Sequence, residues 1–155
     1  MENSINIYTV LGILFIHWVA DFVLQTEEQA INKSKSVKFL TYHVLTYTAF
    51  WFICISLYAC CFYLTFNCGA IVMREKGKLL IVSFTVITFV CHWITDYLTS
   101  KLNTKLLPKR EQHNTQPEYF RYIGNANFHN FFTSIGFDQI LHYTQLFLTF
   151  NLLIS

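Results

Sequence analysis

The chain has 155 residues, 54% of them hydrophobic and 13% charged, against about 45–50% and about 25% in ordinary soluble domains. With 5 Gly and 2 Pro, collagen-like, linker-like and disordered chains are excluded, and a net charge of +2 is too balanced to suggest nucleic-acid binding. A soluble globule this small has too little interior to hide so much apolar surface, so the expected solvent is the bilayer.

Four stretches are long and apolar enough to form helices across a hydrocarbon core of roughly 30 Å. They cover about residues 5–24, 39–66, 79–98 and 131–154. The expected fold is all-α: a single transmembrane domain over 1–155, an integral membrane four-helix bundle. The first span follows Met1–Ser4, which holds no Lys or Arg, and no small-x-small cleavage site comes after it. It reads as a retained helix rather than a signal peptide.

The connections are hydrophilic. The first holds Lys33, Lys35 and Lys38, and the second Arg74, Lys76 and Lys78. The third, residues 99–130, holds Lys101, Lys105, Lys109, Arg110 and Arg121. Loops one and three share a side and outweigh the second loop in basic residues. The positive-inside rule therefore expects them in the cytoplasm, with both termini outside, as in a bacterial inner membrane. Pro108 and Pro117 break the third loop, and Tyr119–Tyr122 is aromatic and basic enough to lie on headgroups. Its length suits a lid and an inert interfacial loop equally. The cysteines form no Cys-x-x-Cys pair; Cys54, Cys60, Cys61 and Cys91 lie in apolar runs, where they read as small hydrophobes.

The informative residues are the ionisable ones inside the spans. His17-Trp18-Val19-Ala20-Asp21 ends the first, and His92-Trp93-Ile94-Thr95-Asp96 ends the third. Each pair falls on one helix face, because four steps of about 100° return to within about 40°. His43 opens the second span, and Asp138 and His142 lie in the first half of the fourth. The two His-Trp segments suggest two helical hairpins related by a pseudo-repeat; a match this short fits duplication and coincidence alike. Spans one and three carry these groups toward their C-terminal ends, and spans two and four toward their N-terminal ends. All seven therefore belong on one side of the membrane.

Four His and three Asp form a metal-ligand inventory suited to zinc, iron or manganese. His17, Asp21, His43, His92, Asp96, Asp138 and His142 exceed one tetrahedral site. They fit two divalent ions with one Asp bridging, and Asp21, Asp96 and Asp138 are the candidate catalytic carboxylates. Gln25 and Gln139 are placed to hold those carboxylates from behind, and His129 is a candidate ligand from the loop. His113 reads as a solvated loop residue, and Trp18 and Trp93 as interfacial or packing residues. Glu27, Glu28, Glu111 and Glu118 flank solvated connections. Two other readings fit the same residues: polar groups that only fix helix register, and His/Asp proton relays. No Gly-rich phosphate loop, nucleophile elbow or Cys/His dyad is present.

At these residues the chain resembles a domain-of-unknown-function family of small bacterial and phage membrane proteins. The shared pattern is His17/Asp21/Phe22/Gln25, then His43, then His92/Asp96, then Asp138/Gln139/His142. In that family a Lys follows the second Asp closely; here Thr99 and Ser100 stand before Lys101. The His-x-x-x-Asp pairs are also similar to ligand pairs of zinc hydrolases of the phospholipase C and P1 nuclease type, and of membrane-bound metal-dependent hydrolases. That resemblance implies phosphoester hydrolysis at a multinuclear zinc site.

The expected function is therefore metal-dependent hydrolysis of a phosphoester in a lipid or lipid-linked substrate. Membrane lipid is the expected partner and nucleic acid is not; a homo-oligomer is neither required nor excluded. A non-catalytic membrane adaptor and a proton or metal-ion permease are the alternatives.

Overall fold

The computed structural model describes residues 6–66, 70–106 and 126–154, which are helical apart from short turns. Helix α1 (Ile7–Trp18) is opened by Asn6, whose side chain accepts the Tyr8 N–H at 3.0 Å. It passes directly into a π turn, Val19–Val23, closed by Leu24 N–H donating to the Val19 carbonyl at 3.0 Å. Helix α2 (Glu27–Asn32) is short and begins with a capping box. Gln29 N–H donates to Thr26 Oγ1 at 3.2 Å, and Thr26 N–H donates to Gln29 Oε1 at 3.0 Å. Two otherwise orphaned donors are thereby satisfied. Three long helices follow: α3 (Val37–Phe66), α4 (Ala70–Leu106) and α5 (Ala126–Ile154). Helix α4 packs against α3 and α5, α1 against α5, and both α2 and the π turn against α3.

The described residues are thus all-α, with helix limits that differ from the hydropathy limits. Helix α4 has 37 residues: it starts within the expected second connection and continues past Leu98 to Leu106. Helix α5 starts at Ala126, before the expected limit at residue 131. The reason is physical. Lys, Arg and Glu are good helix formers, so loss of apolar character does not end a helix. Among the described residues, Val37–Cys61 and Gly77–Leu106 are long and apolar enough to cross a membrane, whereas Ile7–Val23 is apolar but shorter. Helix α5 has 29 residues, with Asp138, Gln139, His142 and Gln145 interrupting its apolar run. Pro108, Pro117, His113, Glu111, Glu118 and Tyr119–Tyr122 lie outside the described residues, as do Cys68 and residues 1–5.

Each long helix buries a stripe at helical spacing. In α4 it runs Phe84, Thr88, His92, Asp96 and Ser100, and in α5 Ser134, Asp138, His142, Leu146 and Phe150. Helix α3 contributes His43, Tyr47, Trp51, Ile55 and Ala59, and the first segment Ile13, His17, Ala20 and Asp21. Four-residue steps keep such positions on one slowly drifting face. Each stripe is polar toward one end and apolar toward the other, running from apolar to polar in the first segment and α4 and from polar to apolar in α3 and α5. The interior therefore has two layers: a His/Asp layer, and an apolar one built by Ile13, Trp51, Ile55, Phe84, Leu146 and Phe150.

The surface inverts the usual pattern. Leu11, Phe15, Phe52, Ile53, Leu57, Val82, Val86, Ile94, Phe137, Ile140 and Leu148 are all exposed. Among the described residues 13 polar or charged side chains are buried, against 11 hydrophobic ones. Leu, Phe, Ile and Val side chains are among those most often fully buried in soluble proteins. Several hydroxyls bond back to their own helix, as Thr85 Oγ1 does to the Ile81 carbonyl at 2.7 Å and Thr99 Oγ1 to Thr95 at 2.9 Å. Such bonds satisfy the groups without water.

Candidate metal centre

The antiparallel course of the helices brings the end of α1 and its π turn level with the start of α3, the middle of α5 and the second half of α4. Asp21 (in the π turn) and Asp96 (in regular α-helix) approach His43 together. His43 Nε2 is 3.1 Å from Asp21 Oδ1 and 3.2 Å from Asp96 Oδ2. His92 Nε2 is 3.3 Å from His43 Nε2, and 3.6 and 3.8 Å from the same two oxygens. All four residues are buried.

These spacings test whether a cation fits. A tetrahedral ion with bonds of about 2.0–2.2 Å to N and O holds its donors about 3.3–3.6 Å apart. The observed separations scatter around that range, so Asp21, His43, His92 and Asp96 form a four-donor group of the right size and chemistry. One feature opposes loading: His43 Nδ1 is buried without a partner. A proton displaced from Nε2 to Nδ1 would find no acceptor there.

A second group adjoins the first through Asp96. Its other oxygen, Oδ1, is 3.2 Å from His142 Nε2, which is 3.3 Å from Asp138 Oδ1. That Asp138 oxygen is buried and receives no hydrogen bond. Asp96, Asp138 and His142 thus form a three-donor group, and Asp96 serves both groups with one oxygen each. The rings of the two groups also meet, His92 Nδ1 lying 3.0 Å from His142 Nδ1.

Six of the seven expected ligands come together in this way; His17 does not join either group. Its Nδ1 is 2.9 Å from Tyr47 Oη and its Nε2 2.9 Å from Gln139 Oε1. Gln139 Nε2 in turn donates to Asp21 Oδ2 and Asp138 Oδ2, both at 3.3 Å. Since that amide nitrogen is a donor, Gln139 Oε1 must accept, which places the His17 proton on Nε2 and makes Tyr47 O–H a donor to Nδ1. His17 thus stands outside both donor groups: both ring nitrogens are engaged, its Nε2 is 3.8 Å from Asp21 Oδ2, and it is linked to the carboxylates through Gln139.

Gln139 bonds the Asp21 and Asp138 carboxylates. Gln25 does not: its amide nitrogen is buried without a partner. His129 is exposed in the first turn of α5 and is not one of the converging residues. Trp93 Nε1 donates to Thr41 Oγ1 at 3.2 Å and Trp18 is half exposed, both packing roles. Lys101 lies over the Tyr97 ring, 3.7 Å from its centroid. Cys54, Cys60 and Cys91 are free thiols, and none of the described cysteines belongs to the donor groups. The two His-Trp segments differ in backbone, since a π turn follows His17 and regular α-helix follows His92.

Two participants were not visible as such. Tyr47 stacks on His92, with ring centroids 3.7 Å apart and planes within 8°; its position one turn after His43 was the available signal. Lys33 reaches in from the C-terminal end of α2, placing Nζ 3.0 Å from Asp96 Oδ2. Nothing in its spacing separates it from Lys35 and Lys38. Burial presses the Lys33 ammonium toward neutrality, but the Asp96 and Asp21 carboxylates outweigh that and hold its pKa above the ordinary lysine value.

Three carboxylates against one ammonium leave an excess of negative charge in a buried place. A cation or protonated imidazoles must balance it. Compared with protein-family models, with curated proteins and with solved structures, the chain matches none.

Proposed function

We propose that the chain is an integral membrane protein of four spanning helices whose His/Asp cluster is a divalent-metal centre hydrolysing a phosphoester of a lipid or lipid-linked substrate. The observation that carries this reading is the pair of donor groups sharing Asp96, each of ligand spacing and together rich in imidazole and carboxylate. The apolar exterior around a polar interior supports lipid as the solvent. Zinc suits the donor set best, with iron and manganese as alternatives.

Asp21, His43, His92 and Asp96 would hold one ion and Asp96, Asp138 and His142 the other, and ions there would supply water activation and neutralise charge on the phosphate. Asp96 spaces the groups, Asp21 and Asp138 complete them, and Gln139 fixes the free oxygens of both. The loop lysines favour a cytoplasmic centre in a bacterial inner membrane. The family of unknown function and the zinc phospholipases remain resemblances of motif and ligand type, and enter here only as support for the choice of reaction. The permease reading is less favoured, because beyond the cluster the interior is filled by Trp51, Phe84 and Leu146.

The test is elemental analysis of detergent-purified protein, followed by a screen of phosphomonoester and phosphodiester lipids with and without chelator. Bound metal, and turnover lost both on chelation and in Asp96→Ala, is the expected result. Protein that stays metal-free after reconstitution would turn the reading to a non-catalytic adaptor.

A further inference from the structure

We propose that Lys33 is the anion-binding residue of this centre, gripping the phosphate of the substrate; this rests on the metal-dependent reading above. Lys33 is the one ammonium that reaches the cluster among the described residues, with Nζ 3.0 Å from Asp96 Oδ2. It is also more accessible than any of the three carboxylates. Its side chain is 19% accessible and that of Asp138 11%, against 0% for His43 and 1% for Asp96. Lys33 and Asp138 are thus the most accessible of these four side chains.

Asp138 belongs to the incomplete donor group, and Lys33 adjoins that group through the shared Asp96, bonding the oxygen that faces the four-donor group. Asp96, Asp138 and His142 supply three ligands, and Asp138 Oδ1 is buried with no hydrogen bond. A cation held by three protein atoms keeps positions for outside ligands. An anion taking one of them would meet the cation, with the Lys33 ammonium close by on Asp96. Lys33 is suited to the task because an ammonium has three donors and Asp96 takes one of them. It is also set in place beforehand: the capping box fixes the start of α2, and α2 packs on α3. The ligand chemistry implied is a phosphate bearing at least one negative oxygen, carried by a lipid headgroup or by a soluble ester.

The experiment is calorimetric titration of the zinc-loaded, detergent-purified protein with inorganic phosphate, for wild type, Lys33→Gln and Lys33→Arg. Loss of one hydrogen bond to a charged group should weaken phosphate binding by roughly ten- to a hundred-fold in Lys33→Gln. Zinc content should equal that of the wild type, and Lys33→Arg should recover part of the affinity. Short-chain phosphatidic acid in the same detergent identifies the source: binding tighter than phosphate, and equally sensitive to Lys33→Gln, marks a lipid headgroup. Equal binding marks a soluble ester. Unchanged phosphate affinity in Lys33→Gln overturns the proposal. So does loss of zinc from both variants, which would make Lys33 a charge-balancing residue. Failure of the wild type to hold zinc is read separately, and it overturns the metal centre itself.

Discussion

The Nδ1 atoms of His92 and His142 face each other at 3.0 Å. A neutral imidazole has one protonated nitrogen and one lone pair, so this contact is a bond when one ring donates and the other accepts. The donating ring then presents a bare Nε2 and the accepting ring a protonated one. While the bond persists, the two rings cannot both offer Nε2 to a cation. Metal loading should therefore occur in two separable steps, the second weaker and accompanied by extra proton release. Zinc titrations in buffers of different ionisation heat measure this directly. Two ions entering with equal affinity and equal proton release would show that the rings do not share a proton.

Asp96 and Asp138 should separate the two groups. Asp96 serves both, whereas Asp138 belongs to the three-donor group alone. Asp96→Ala should remove nearly all bound metal, and Asp138→Ala should leave the four-donor group loaded at about half the wild-type content. Metal-to-protein ratios by elemental analysis distinguish the outcomes. Equal loss in both variants would contradict a division into two groups.

His17 and Tyr47 support the ligands without touching the ion positions. Groups in that relation to a centre typically change affinity or activity by about 10–100-fold. His17→Ala and Tyr47→Phe should accordingly weaken zinc binding by that order while keeping its stoichiometry. Competition with a chelator of known affinity reads the change. Complete loss of metal in His17→Ala would return His17 to the ligand list.

Thr26 anchors the helix that delivers Lys33. Thr26→Ala removes an N-cap worth about 1 kcal/mol and both capping-box bonds depend on its placement. Amide hydrogen exchange should accelerate in Glu27–Asn32 by roughly fivefold, the factor that such an energy implies, while α3 and α4 remain unchanged. Acceleration spread over the whole chain would show that α2 does not open independently.

The helical class and the convergence of six side chains were legible because four-residue spacing and antiparallel topology follow from helix geometry alone. Helix limits were less so, since Lys101 and Lys105 extend α4 although hydropathy ends at Leu98. The role of His17 was hidden for a different reason. Its spacing to Asp21 equals that of His92 to Asp96, and only the positions of Tyr47 and Gln139 reveal that its nitrogens are occupied. Lys33 was counted as a loop charge, because the fold of α2 against α3, not the local sequence, turns it inward.

The π turn at Val19–Val23 sets a constraint that substitution tables do not capture. A π turn holds about one residue more than an α turn. Removing a residue there would let the segment relax to α-helix with its composition almost unchanged. What lies beyond the deletion would keep its course, because a π turn and an α turn both close one full circle with nearly the same advance along the axis. Only the residues inside the turn would change the direction in which they point, so Asp21 would lose its alignment with His17 and His43. In a related chain, the spacing between His17 and Asp21 is therefore as much a sign of the same centre as the two residues themselves.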